Sequence, residues 1–90
     1  FFFPSAFTPN GDGINETFNI LSSYTLTYYH LEVFNRWGQK VFSTNDSAKG
    51  WNGNINGAVA QNGLYIWKAD MQVKGKSELV HKSGTLQLIR

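Results

Sequence analysis

Ninety residues, 16% charged and 16% aromatic, with a net charge of +2 and no cysteine, fit one modest domain. The missing cysteine excludes disulfides, thiol chemistry and cysteine–zinc centres. The basic residues are scattered, and Glu78 interrupts the late cluster of Lys74, Lys76, Lys82 and Arg90, so no nucleic-acid stripe is present despite a pI of about 9.1.

Phe1-Phe2-Phe3 is a short apolar run closed by Pro4, which suits a first, edge strand. It follows neither a methionine nor a basic-then-apolar leader, so the chain reads as a piece cut from a longer protein. The segment Pro9 to Asn15 is rich in turn residues, and Thr17 to Ile20 alternates with Phe18 and Ile20 on one face. From Thr25 the alternation lengthens. Tyr29, Leu31 and Val33 share one face, and Tyr28, His30, Glu32 and Phe34 the other, as in a half-buried strand.

Asn35-Arg36-Trp37-Gly38 reads as a four-residue turn, with Asn early and Gly late. Gln39 to Ser43 returns as its partner strand, with Val41 and Phe42 assigned to opposite faces. Between residues 44 and 63, Asn52-Gly53 and Asn56-Gly57 are strong turn signals. Leu64 to Val73 places Tyr65, Trp67, Ala69, Met71 and Val73 on one face. Lys74-Gly75-Lys76 is a hairpin tip, and a last strand from about Glu78 to Ile89 sets Leu86 and Leu88 against Thr85, Gln87 and Ile89. No helical period runs through the chain. Six or seven short strands with turns between them predict an all-β antiparallel β-sandwich. The longest apolar runs are far short of the ~20 residues that span a bilayer, so no direct membrane insertion is expected.

No catalytic residue is assigned. His30 and His81 alternate with apolar neighbours and belong to no recognisable motif, which is how a hydrogen-bonded strand histidine reads. Of the six carboxylates only Asp12 and Glu16 are close in sequence.

The run Asn10-Gly11-Asp12-Gly13-Ile14-Asn15-Glu16 is the best candidate for chemistry. Asn10, Asp12, Asn15 and Glu16 offer the oxygen donors that calcium prefers, while Gly11 and Gly13 allow a tight coil. An EF-hand alignment fails: it puts Thr8 at the first position and Asn19 at the twelfth, where Asp and a bidentate Glu are needed. Two readings stay open, a weak calcium loop with an affinity of order 10⁻⁴–10⁻³ M and a self-satisfied Asx-turn. No cofactor is required by either. Among the tryptophans, Trp67 falls in a core pattern and Trp51 reads as a loop anchor. Trp37 and Trp51 also leave open a carbohydrate-stacking surface.

Several blocks together resemble a known family. Phe7 to Phe18 is similar to the opening of the gliding-motility-associated C-terminal domain, and Val33 to Phe42 to its central hairpin. Trp51-Asn52-Gly53, Asn56-Gly57, Gly63-Leu64-Tyr65-Ile66-Trp67 and Lys82 to Arg90 resemble the remaining blocks, in order. The Asn35-Arg36-Trp37-Gly38 turn, Trp51 and Gly53 enter as structural motif residues. The chain departs from the pattern at Glu16 and Asn52, where Asp is more usual, and at Gln61-Asn62, where a Pro is usual.

The resemblance implies an Ig-like sandwich that acts as a type B sorting signal of the type IX secretion system. It would carry a cargo across the outer membrane and hold it at the cell surface on a PorP/SprF-like outer-membrane barrel. Recognition would fall on Lys82, Ser83, Gly84, Thr85, Leu86, Leu88, Ile89 and Arg90, with the last strand offering a backbone edge and Leu/Ile side chains. As an isolated domain it would be monomeric. The alternative is an extracellular adhesion or carbohydrate-binding sandwich.

Overall fold

The computed structural model describes residues 1–9, 11, 13 and 16–89. The described residues form seven strands and no helix: β1 (Ala6–Phe7), β2 (Leu26–Phe34), β3 (Lys40–Thr44), β4 (Asn54–Ile55), β5 (Ala58–Val59), β6 (Gly63–Val73) and β7 (Val80–Leu88). Five make one sheet in the order β1-β7-β6-β2-β3, and β4 and β5 pair separately. The sheet is antiparallel except at β1, which runs parallel to β7 with Ala6 opposite Gln87 and Phe7 opposite Leu88.

The period-two patterns decide which face is buried. Tyr29, Leu31 and Val33 of β2, Tyr65, Trp67, Ala69 and Met71 of β6, and Leu86 and Leu88 of β7 all point into one core. Phe7 of β1, opposite Leu88, joins them, and Phe18, Ile20, Trp51 and Ala60, outside that sheet, close the core. That second layer is irregular, held by the Phe2–Leu21 and Phe18–Trp51 bridges and by the β4–β5 hairpin. The all-β, two-layered arrangement is consistent with the β-sandwich expected from the strand spacing. The opposite face of the sheet is solvated, as antiparallel sheets allow.

Three local expectations are corrected. Phe1 to Phe3 is not the first strand: Phe2 exchanges two 2.8 Å backbone hydrogen bonds with Leu21, and Phe3 stacks on Trp67 at 4.0 Å. The true first strand lies beyond Pro4, which has no N–H to give a ladder. Likewise, Thr17 to Ile20 forms a single bridge, although Phe18 and Ile20 are both buried as their alternation predicts. Finally, Val41 and Phe42 do not face opposite sides. Val33 pairs with Phe42 and Phe34 with Lys40, so Val41 is the extra residue of a β-bulge. Both side chains pack against the core.

The turns follow their chemistry. Asn56 and Gly57 both take positive φ, 52° and 81°, as the two-residue loop joining β4 to β5 requires. The backbone N–H of Asn35 donates to the Gln39 carbonyl and that of Gly38 to the Asn35 carbonyl, with Gly38 at φ 82°. This is a turn followed by a left-handed glycine, a standard three-residue hairpin loop.

Candidate functional site

Of the expected calcium ligands, Asn10, Asp12 and Asn15 lie outside the described residues; Glu16 is placed. Both its carboxylate oxygens accept from the Gly11 N–H, at 3.1 and 2.9 Å, and this closes the loop across five residues. Gly11 and Gly13 hold φ values of 85° and 80°, which only glycine adopts cheaply. A carboxylate has about four lone-pair sites, so this contact leaves Glu16 able to accept further bonds. Among the described residues no group of three acidic or imidazole side chains converges.

Both histidines are hydrogen-bonded on the open face, as strand histidines should be. His30 Nδ1 lies 2.5 Å from the Asn45 side-chain oxygen, and His81 Nδ1 lies 2.6 Å from Asp70. Lys40 donates to Glu32 at 3.1 Å, and His30 lies 3.5 Å from the same carboxylate. The Lys40 hydrogen bond is the main reason the Glu32 carboxyl is held below the usual range; burial opposes it, and His30 adds to the lowering.

The last strand splits into two parts. Leu86 and Leu88 are fully buried, so they pack the core and are not presented to a partner. Alternation along β7 leaves Thr85 and Ile89 on the exposed face, with Ser83 and His81 behind them. The backbone edge is divided as well. Gln87 donates to the Ser5 carbonyl at 2.8 Å and Ile89 to that of Phe7 at 3.1 Å, so β1 covers this end. The groups of His81, Ser83 and Thr85 point the same way, two residues apart. No backbone partner meets them among the described residues. Among the described residues of β7 the open stretch of edge is therefore 81–85, and residues 87–89 are covered. Arg90 lies outside the described residues.

Gly84 and Lys82 both sit on the core-side face of β7. A Cβ on Gly84 would come within 3.1 Å of three indole atoms of Trp67, whose ring occupies that space. Lys82 lies opposite Ala69 yet is exposed, a charge on an edge strand that discourages indiscriminate pairing.

The three tryptophans part company. Trp51 is fully buried; its indole N–H donates to the Asn54 carbonyl at 2.9 Å, and Tyr65 meets it edge-on at 4.9 Å. It anchors the loop that Gly53 turns at φ 83°. Trp67 is buried under Phe3. Trp37 is 68% exposed, with the Arg36 guanidinium 4.4 Å from its ring centre. The turn beneath it is rigid. The Asn35 side-chain oxygen accepts from the N–H of Trp37 and of Gln39, both at 3.0 Å, and its amide donates to the Gln39 side chain at 2.8 Å. Sequence reasoning placed this turn as structural. What it missed is the direction of the ring, which no local pattern encodes.

No curated protein and no solved structure matches the chain. A family model does, over residues 1–88. The chain belongs to the CHU_C type IX secretion signal domain family, which is a family of sorting signals and not of enzymes.

Proposed function

We propose that this domain directs a cargo protein through the type IX translocon and then holds it at the cell surface by docking on a PorP/SprF-like outer-membrane barrel. The observation that carries the reading is the family membership over residues 1–88, joined to a free strand edge in the terminal block. Unpaired N–H and C=O groups of His81, Ser83 and Thr85 offer a template for an added strand, the commonest way a sheet edge binds an extended segment. Glu16 and its neighbours would serve as a weak calcium loop that stiffens the entry to β1's partner layer; isothermal titration with calcium tests this, and a heat signal lost in Asp12→Asn is the expected result.

Deleting Lys82–Arg90 would remove Leu86 and Leu88 from the core and report only unfolding. The sharper test is Ser83→Pro. It removes one outward N–H and leaves the β6 ladder intact, because the Ser83 N–H points away from β6. A fluorescent reporter carrying an export leader and residues 1–90 is expected to reach the surface or medium of a type IX-competent host. The Ser83→Pro fusion is expected to stay in the periplasm while folding as wild type. Equal export of both would sink edge docking. The carbohydrate reading cannot use Trp51, which is buried.

A further inference from the structure

The solvated face of the sheet is uneven. Around its middle, polar groups answer one another: His30 with Asn45, Glu32 with Lys40, Asp70 with His81. Toward the end where β2 leaves, β6 enters and β7 finishes, apolar side chains gather on the outward face beside Thr85 and Gln87. Phe34, Leu64, Ile66 and Ile89 all fall there; Phe34 pairs with Ile66, and Leu64 lies two residues along β6. Leu64, Ile66 and Ile89 are exposed, at 49%, 38% and 46%. Trp37 stands at the rim of this patch, across a shallow groove shared by Trp37 and Leu64.

The charges here differ from those in the middle. Among the described residues, neither Arg36 nor Lys68 has a carboxylate within salt-bridge distance. Each lies over an aromatic ring instead, Arg36 on Trp37 at 4.4 Å and Lys68 on Phe34 at 5.5 Å. An exposed indole on a turn locked by three Asn35 side-chain bonds loses little further freedom on binding. Trp and Arg are also the residues that dominate binding energy at protein interfaces.

We infer that Arg36 and Trp37, with the apolar end of the open face behind them, form a second docking surface for the export machinery. Its partner is a protein patch that is apolar at the centre and carries at least one carboxylate to meet Arg36 and Lys68. The inference rests on the sorting reading and adds to it a surface separate from the 81–85 edge. The two sit on one side of the molecule: β7 brings Ile89 to the patch and offers its edge further back.

The test uses the same reporter fused to residues 1–90, with Trp37→Ala and Arg36→Glu as variants. Tyr28→Ala is the control, since Tyr28 is exposed on the same face near its opposite end. Thermal unfolding of each purified domain accompanies the export measurement. Trp37→Ala and Arg36→Glu are expected to lower the exported fraction by about 30-fold, the effect of losing a hot-spot residue, with melting unchanged. Tyr28→Ala is expected to export as wild type. Arg36→Glu keeps the test decisive if Trp37→Ala misfolds.

Wild-type export together with equal export of folded Trp37→Ala and Arg36→Glu overturns this surface and leaves the sorting reading standing. A wild-type fusion that is retained overturns the sorting reading, and this surface falls with it. Full export of the variants, with loss of wild-type binding to an acidic glycan in Trp37→Ala, overturns it in favour of the carbohydrate reading.

Discussion

At the scale of single residues, the most informative are those with no room or no partner. The Tyr29 hydroxyl is buried without a well-formed hydrogen bond. Burial pushes its pKa up to about 12, and the nearby Ile20 backbone offsets this only in part. An unmet buried hydroxyl costs about 1–3 kcal/mol, so Tyr29→Phe is expected to leave stability unchanged or raise it by up to about 1 kcal/mol in urea unfolding. Gly50 shows the opposite limit. A Cβ there would sit 2.8 Å from the Asn19 Cβ and from the Phe18 carbonyl oxygen, at the bridge that fastens Trp51. Gly50→Ala is expected to cost at least about 1–3 kcal/mol, by forcing that bridge apart. Trp51→Ala should cost about 3–5 kcal/mol, much of the ~5–13 kcal/mol expected for ninety residues. A loss of ligand binding in that variant would therefore report unfolding. Trp37 differs from both: as the exposed indole it should dominate acrylamide quenching, and Trp37→Phe should abolish most of the accessible emission.

At the scale of elements, the period-two faces of β2, β6 and β7 were legible because a strand buried on one side must alternate. Tyr29, Leu31, Val33, Leu86 and Leu88 could hardly have pointed elsewhere. The Asn56-Gly57 loop was legible for an equally local reason, two residues tolerant of positive φ. What escaped depends on distant partners. The bulge at Val41 arises from how β3 meets β2, and nothing between Gln39 and Ser43 announces it. The parallel pairing of Ala6 and Phe7 joins residues about eighty positions apart, so on local pattern alone the more apolar Phe1–Phe3 reads as the better strand. The candidate site divides the same way. The terminal block was recognisable, but only the sheet order shows that its edge is open at 81–85 and closed at 87–89. On β2, Glu32 gives an element-scale expectation for acid. Its carboxyl is depressed in the folded state, so its contribution is present above the ordinary carboxylate range and is lost as pH falls through the folded value. Glu32→Gln should melt slightly below wild type at neutral pH, by no more than about 1 kcal/mol for so exposed a pair, and match it in acid.

For the whole molecule, the core is small and shared. Phe7, Phe18, Trp51, Tyr65 and Trp67 contact one another ring to ring, so strands, loop and first layer melt together and not in stages. A single cooperative transition in which tryptophan fluorescence and far-ultraviolet dichroism coincide is the expected outcome. The side-by-side, same-direction placement of β1 and β7 has a further, mechanical consequence. Tension drawn between the beginning of the chain and its end pulls these two strands lengthwise past each other. The Gln87–Ser5 and Ile89–Phe7 hydrogen bonds then bear the load together instead of peeling open one after the other. Strands paired this way resist a sudden pull applied between the two ends of the domain, because once the Phe2–Leu21 bridge gives way both of these bonds must shear together.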